Sequence, residues 1–428
     1  MPFIEKIKNE FSFIKGNYAV LVISWILIDF AMELPATYYS LYVLELGATE
    51  TILGMIGLFS FLALASMQFP GGYLADKFGR RWIIVTMTFG VALSYILYAI
   101  APSWHLILIG AVLMSLLNST YQPALLAMIA DSVPSERRGM GFGLIMLITS
   151  ASTTPGPFVA GIFYNQFGLV QGMRISYGVV VAFFLAAAFL RLFRLKETLT
   201  NAHKPSISEF LRSYPTALKE SFGVWKTLPC SMFYLFLSGA VVTFGFATVQ
   251  LYLNVYAIYE LSVDRAFWPL ILTALFVTMI ILAVPMGKVV DKFNRKIPLL
   301  TAYLVFGAAM WIFVKGDFIS SIASSWGSNI FLGVDLFVSL VLVGVGQVMM
   351  NSAFSALQAD LTPKAQRGKV NGFTNFMNFI LMAFGNLIGG FLYEHVSPQL
   401  PFFLAISLTV PSFALTLVLV HEPEKREE

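Results

Sequence analysis

The sequence predicts an all-α integral membrane protein of twelve transmembrane helices, arranged as two six-helix halves in parallel repeat. Three observations predict it. They are a composition no wettable exterior can accommodate, twelve apolar runs of spanning length, and a set of motifs that recurs once. Of 428 residues, 58% are hydrophobic and only 12% charged, with 40 Phe and a mean hydropathy of +0.78. A soluble domain carries about a quarter charged residues and exposes a surface without large apolar patches. This chain cannot build such a surface.

A helix crosses the hydrocarbon with about 20 apolar residues. Runs broken by polar or turn clusters fall at about 18–46, 51–75, 82–101, 105–130, 140–165, 174–195, 229–258, 266–290, 297–315, 333–359, 370–394 and 400–420. Their length and lack of alternation argue against a β-barrel. The opening MPFIEKIKNEFSFIKGN puts three lysines before an apolar run. That run is too long for a signal-peptide core and has no small-residue cleavage site, so it reads as the first span. With the N-terminus inside, 24 of the 27 Lys and Arg lie on that side, leaving Arg174, Arg265 and Lys315 outside. The positive-inside rule then places both termini in the cytoplasm of a multi-pass plasma-membrane protein.

The halves are residues 1–195 and 229–428, joined by a cytoplasmic linker at 196–228. In the linker, the stretch from Ser206 to Arg212 starts like a capping box and continues with apolar and basic residues, as an amphipathic surface helix or a solvated connector would. Residues 316–332 form the one sizeable external loop expected. The single Cys230 forms no intramolecular disulfide. His105, His203, His395 and His421 lack metal-ligand spacing. No basic stripe with interleaved aromatics offers a nucleic-acid surface, and P-loop, G-x-S-x-G and H-E-x-x-H motifs are absent. No enzymatic activity, metal or cofactor is expected. The expected partners are the lipid bilayer, protons and a small-molecule substrate, with the protein a monomer.

The repeat is written in two sets of residues. Pro70-Gly71-Gly72-Tyr73-Leu74-Ala75-Asp76-Lys77-Phe78-Gly79-Arg80-Arg81 follows span two, and a similar run from Pro285 through Gly287, Asp291, Asn294 and Arg295 to Lys296 follows span eight, 215 residues later. At an offset of 229, Asp131, Pro134, Arg138, Gly139, Gly156, Gly161 and Tyr164 match Asp360, Pro363, Arg367, Gly368, Gly385, Gly390 and Tyr393. Two like-oriented halves follow, as in transporters built from parallel repeats.

The segment at 72–81 resembles the loop 2–3 signature of the major facilitator superfamily, and the second copy at 287–296 extends the resemblance over the whole chain. The resemblance implies the major facilitator fold and transport by alternating access. It also implies that Asp76 faces span eleven near Gly368–Asn371 and Asp291 faces span five near Gly139. There a carboxylate would meet the positive end of a helix. Gly72 and Gly287 would permit close helix approach. Arg80 and Arg295 would pair with Asp131 and Asp360, latching the cytoplasmic side. The plainer alternative is charge that only fixes topology.

Span five carries Thr154-Pro155-Gly156-Pro157-Phe158-Val159-Ala160-Gly161, which resembles the G-P-x-x-G-G motif of the superfamily's drug–proton antiporters, with Ala160 in place of the first closing glycine. Pro155 and Pro157 remove intrahelical hydrogen bonds and bend the span. An ordinary kinked, small-residue interface is the alternative. The family's span-four arginine is missing, since no Arg or Lys lies between 105 and 130.

Of the 23 acidic residues, Asp29 and Glu33 are those expected deep inside a span. Intramembrane carboxylates mark function, and four residues apart they share a helix face. Trp25 and Thr37 extend that spacing toward a kink at Pro35. No Lys or Arg is expected at their depth, so burial and mutual repulsion favour taking up a proton. A proton carrier needs that property; a permanently protonated structural pair is the alternative. Polar residues on other spans are candidates for lining a cavity between the halves: Asn118 and Gln122 with their repeat mates Gln347 and Asn351, Gln250 and Asn254, and Asn371, Asn375 and Asn378. Interhelical hydrogen bonding is their other role. The function expected is proton-coupled export of amphipathic or cationic small molecules. The alternatives are proton-linked symport or facilitated uptake of a nutrient, and more remotely a transporter-like receptor.

Overall fold

The computed structural model of the chain describes residues 13–134, 137–153, 155–199, 215, 223, 228–292, 294–316, 333–363 and 366–422, and for 69, 70, 72, 73, 75–78, 138, 139, 142, 146, 147, 150 and 291 the backbone only. The amphipathic stretch from Ser206 and all of the external loop but Gly316 lie outside the described residues.

In chain order the described helices of seven or more residues are α1 (Gly16–Ala36), α2 (Tyr39–Glu45), α3 (Glu50–Phe78), α4 (Arg80–Ala99), α5 (Trp104–Ser132), α6 (Arg138–Thr153), α7 (Gly156–Phe167), α8 (Leu169–Arg194), α9 (Cys230–Gln250), α10 (Trp268–Lys292), α11 (Lys296–Lys315), α12 (Val334–Asp360), α13 (Arg367–His395) and α14 (Leu400–Leu419). Among the described residues, eleven helices are long and apolar enough to cross a membrane. The twelfth crossing is the pair α6 and α7, broken at Pro155 as the two prolines require. Pro35 acts similarly: α1 stops one residue after it, and the chain restarts as α2.

The chain divides into two compact units, residues 1–36 with 66–217 and residues 37–65 with 218–428. The sequence places that boundary only in the linker. Instead, the end of span one and the first half of span two pack with the C-terminal helices, tied there by their own polar groups. Tyr38 Oη–H donates to the carbonyl of Arg265 at 2.7 Å, and Ser40 Oγ–H to that of Leu251 at 2.6 Å. Thr51 N–H donates to Glu394 at 2.8 Å.

Each unit repeats one packing scheme. In the first, α1 packs on α8, and α4 packs on α5 and α8; in the second, α9 packs on α14, and α11 packs on α12 and α14. Apolar side chains cover the outside as well as the core: Phe193 is 75% exposed and Val410 66%. That is the exterior a lipid solvent selects. Buried hydroxyls bond within their own helices, as Ser94 to the Val91 carbonyl and Ser176 to that of Gly172.

The starts of α4 and α11 share a device the sequence did not reveal. Neither has a side-chain cap at its own N-cap position. The Glu197 carboxylate accepts from the N–H groups of Arg80 and Arg81 at 3.0 Å each, and Glu422 accepts from the Lys296 N–H at 2.7 Å. Each therefore satisfies orphan donors at the positive end of a helix. Gly79, before α4, has φ +93°, which lets a glycine turn the chain without Cβ strain. Its counterpart Asn294 is not in that region, since Ser262 is the one described non-glycine residue with positive φ.

Candidate functional site

Asp29 and Glu33 stand one turn apart on α1, both half-buried. Asp29 lies within electrostatic reach of Thr149 of α6 and Trp25 of α1, while its buried Oδ2 has no hydrogen-bond partner among the described residues. Glu33 lies against the break in span five. A Cβ built on Gly156 would stand 2.5 Å from Glu33 Cβ and 2.6 Å from Cγ. The Pro155 break thus brings a residue without a side chain up to the second carboxylate. Pro157 and Gly161 are buried in α7 behind it. Thr37 is buried, but α1 ends at Ala36, so the four-residue spacing does not carry it onto the same helical face.

The expectation that no cation lies at this depth is wrong. Arg191 of α8 is 1% exposed. Its Nε–H donates to Ser24 Oγ of α1 at 2.9 Å and its Nη1–H to Thr88 Oγ1 of α4 at 2.8 Å. Its guanidinium carbon lies 5.9 Å from the Tyr121 ring centroid, and it attracts Asp29 electrostatically. Among the described residues no carboxylate is within ion-pair distance of it. In sequence, Arg191 sits beside Arg194 and Lys196 at the end of an apolar run and reads as a flanking charge. Only the small polar residues of α1 and α4 show that it points inward.

Arg80 pairs with Asp131, and Arg295 with Asp360. Arg80 also donates to the Ala127 carbonyl and Arg295 to that of Ala356. Each pair joins consecutive spans of one half, so it staples that half internally and does not itself latch one half to the other. The Asp76, Asp291 and Gly72 positions fall among residues whose side chains lie outside the described set. A Cβ on Gly287 would meet nothing within 4 Å, so no close approach is seated there. The close approach is at Gly71, whose Cβ would stand 2.7 Å from the Ser119 carbonyl.

The polar candidates separate into two groups. Gln122 donates to Asn118 one turn before it on α5 at 3.2 Å, whereas Gln250 donates to Asn386 of α13 at 3.2 Å and Trp268 of α10 to Asn254 at 2.9 Å, so the last two bonds join separate segments. Gln347 and Asn351 of α12, with Asn378 of α13, line a cavity of about 280 Å³ inside the second unit. Asn371 instead accepts from Gln358, and Asn375 is exposed outside that lining.

An uncharacterized MFS-type transporter of Methanocaldococcus jannaschii is 24% identical over 84% of this chain and 86% of its own length. The multi-drug resistance efflux pump PmrA of Streptococcus pneumoniae is 25% identical over 79% of this chain and 78% of its own. The crystal structure of the nucleoside transporter NupG shares the fold, with a TM-score of 0.71 at 13% identity, covering 94% of this chain and 99% of that one. The family description Major Facilitator Superfamily matches residues 21–266 and 235–428. With twelve crossings in two like-built halves, the chain belongs to the Major Facilitator Superfamily of transporters.

Proposed function

We propose that the protein is a proton-coupled exporter of amphipathic or cationic small molecules, working by alternating access in the plasma membrane with both termini cytoplasmic. The carboxylate pair carries this reading. Asp29 and Glu33 lie one turn apart in a membrane helix, with an oxygen of Asp29 unpartnered and, among the described residues, no cation close enough to neutralise either as an ion pair. Such a pair takes up and releases a proton where a paired carboxylate would stay charged. A lipophilic cation competes for the same negative charge, which gives exchange of substrate for protons. The efflux-pump name of the pneumococcal relative supports the direction, and the distribution of Lys and Arg supports the orientation.

The test uses vesicles containing the purified protein and tetraphenylphosphonium under an imposed pH gradient. Movement of the cation against proton flow is expected. Asp29→Asn or Glu33→Gln should abolish it while sparing exchange at equal pH. Accumulation that survives both variants would remove the proposal, and substrate moving with protons would establish symport instead.

A further inference from the structure

The two halves are alike in packing and unlike in chemistry. Where Arg191 joins Ser24 and Thr88 in the first unit, the matching spans of the second join Ser238, Tyr303 and Thr416 by neutral hydroxyls, at 2.9 Å and 2.7 Å from Ser238 Oγ. The repeated amides differ in the opposite sense. Asn118 and Gln122 bond to each other. Their mates Gln347 and Asn351, together with Asn378, face the cavity, and among the described residues none of the three has a protein hydrogen-bond partner.

That cavity lies wholly within the second unit, between α9, α11, α12 and α13. Phe236, Phe246, Phe306 and Phe354 supply aromatic walls, and among the described residues none that lines it is charged. The deep side is buried, and Asn351 at the other end is exposed. Ring faces and edges favour another aromatic group. Methionines 350 and 382 supply a wall that adapts to different ring shapes. Amides without partners in an apolar site are costly until something pairs with them. A charged ligand group would find no counter-ion and would lose its hydration there. At about 280 Å³, the space falls just short of the roughly 300–1,000 Å³ that encloses a whole drug-sized ligand.

We propose that this cavity is a binding site for the uncharged aromatic part of the transported molecule, held between the phenylalanine rings and hydrogen-bonded by Gln347, Asn351 and Asn378. The assignment rests on the transport reading above and narrows the substrate class. The cargo carries a neutral ring system with one or more hydrogen-bonding groups, whatever charge its other end bears.

The test uses the full-length protein in nanodiscs and the neutral aromatic ketone 6-propionyl-2-(dimethylamino)naphthalene, whose emission shifts to the blue in an apolar site. Gly239→Leu fills the cavity, because even a Cβ there would stand 2.5 Å from the Phe354 ring. Asn351→Leu removes an exposed amide and leaves the helix intact. Saturable, blue-shifted binding is expected in the wild type, weakened at least tenfold in each variant that remains monodisperse. No saturable signal above empty nanodiscs would overturn the site, as would wild-type affinity in the folded Asn351→Leu protein. The transport reading fails separately: vesicles showing no gradient-driven movement of tetraphenylphosphonium would remove it even if the dye binds as expected.

Discussion

Gly156 and Glu33 are packed so closely that a single methyl group on the glycine would stand 2.5 Å from the glutamate's Cβ. The contact joins the break in span five to the carboxylate-bearing face of α1. It gives Gly156 a reason independent of helix bending. Gly156→Ala must push Glu33 aside, at a cost of about 1–3 kcal/mol for overpacking. Gradient-driven transport should fall at least tenfold while thermal unfolding shows only a modest loss. Gly178→Ala in α8 is the control, since its added Cβ meets nothing within 4 Å. It should be neutral or stabilising by up to about 1 kcal/mol. Equal activity in both variants would show that the Glu33 contact is tolerant.

What the sequence displayed and what it hid follow from the physics of each signal. Hydropathy showed the spans because each needs a long apolar run, and the duplicated motifs showed the halves. The kinks at Pro35 and Pro155 were legible because proline lacks an N–H. Arg191 was hidden because a charge at the end of an apolar run reads as a flanking residue until its neighbours on other helices are known. The caps from Glu197 and Glu422 were hidden for the same reason, each reaching a helix that begins over a hundred residues away. The packing of 37–65 on the C-terminal helices was also hidden. It depends on Gly54, Gly57 and Gly390 matching backbone and side chains far along the chain.

Glu197 predicts an acid-dependent term in stability. Burial pushes its carboxyl up, but the N–H groups of Leu199, Arg81, Arg80 and Thr198 outweigh this and hold it below the usual carboxylate range. A lowered folded-state value means that the stabilisation is complete above the unfolded value, about 4.3, and is lost as pH falls through the folded one. Glu197→Gln should cost about 1 kcal/mol at neutral pH, the size of a helix cap, with the charge component reduced by solvent. The gap in unfolding temperature between wild type and variant should shrink from pH 6 to pH 3. A gap that widens on acidification would contradict the capping role.

The docking of 37–65 on the C-terminal helices should depend on Gly390. A Cβ there would collide with the Glu50 carbonyl oxygen and stand 2.6 Å from Tyr252 Oη, and a backbone oxygen cannot swing away as a side-chain tip can. With Cys230 replaced by Ala, cysteines at Thr51 and Glu394 should be joined by a short bismaleimide, whose span replaces the glutamate side chain that now reaches the Thr51 N–H at 2.8 Å. Adding Gly390→Leu should reduce the cross-linked fraction at least fivefold. An unchanged yield would mean that the segment docks without needing that glycine.

Arg191 separates structure from coupling most sharply. Removing a buried cation usually leaves orphaned partners, but here both hydroxyls keep acceptors on their own helices: Ser24 donates to the Leu21 carbonyl and Thr88 to that of Ile84. Arg191→Met fills similar volume without a charge, and such exchanges are often neutral or stabilising. The variant should therefore unfold near the wild-type temperature. It should nonetheless lose gradient-driven accumulation at least tenfold while keeping exchange at equal pH, because the positive charge that attracts Asp29 is gone. Arg191→Lys should fall between the two, since it retains the charge but cannot reach Ser24 and Thr88 with a planar fork. A packing role alone predicts a different pattern. Met would then lower the unfolding temperature and reduce both transport modes together, and Lys would be no better than Met.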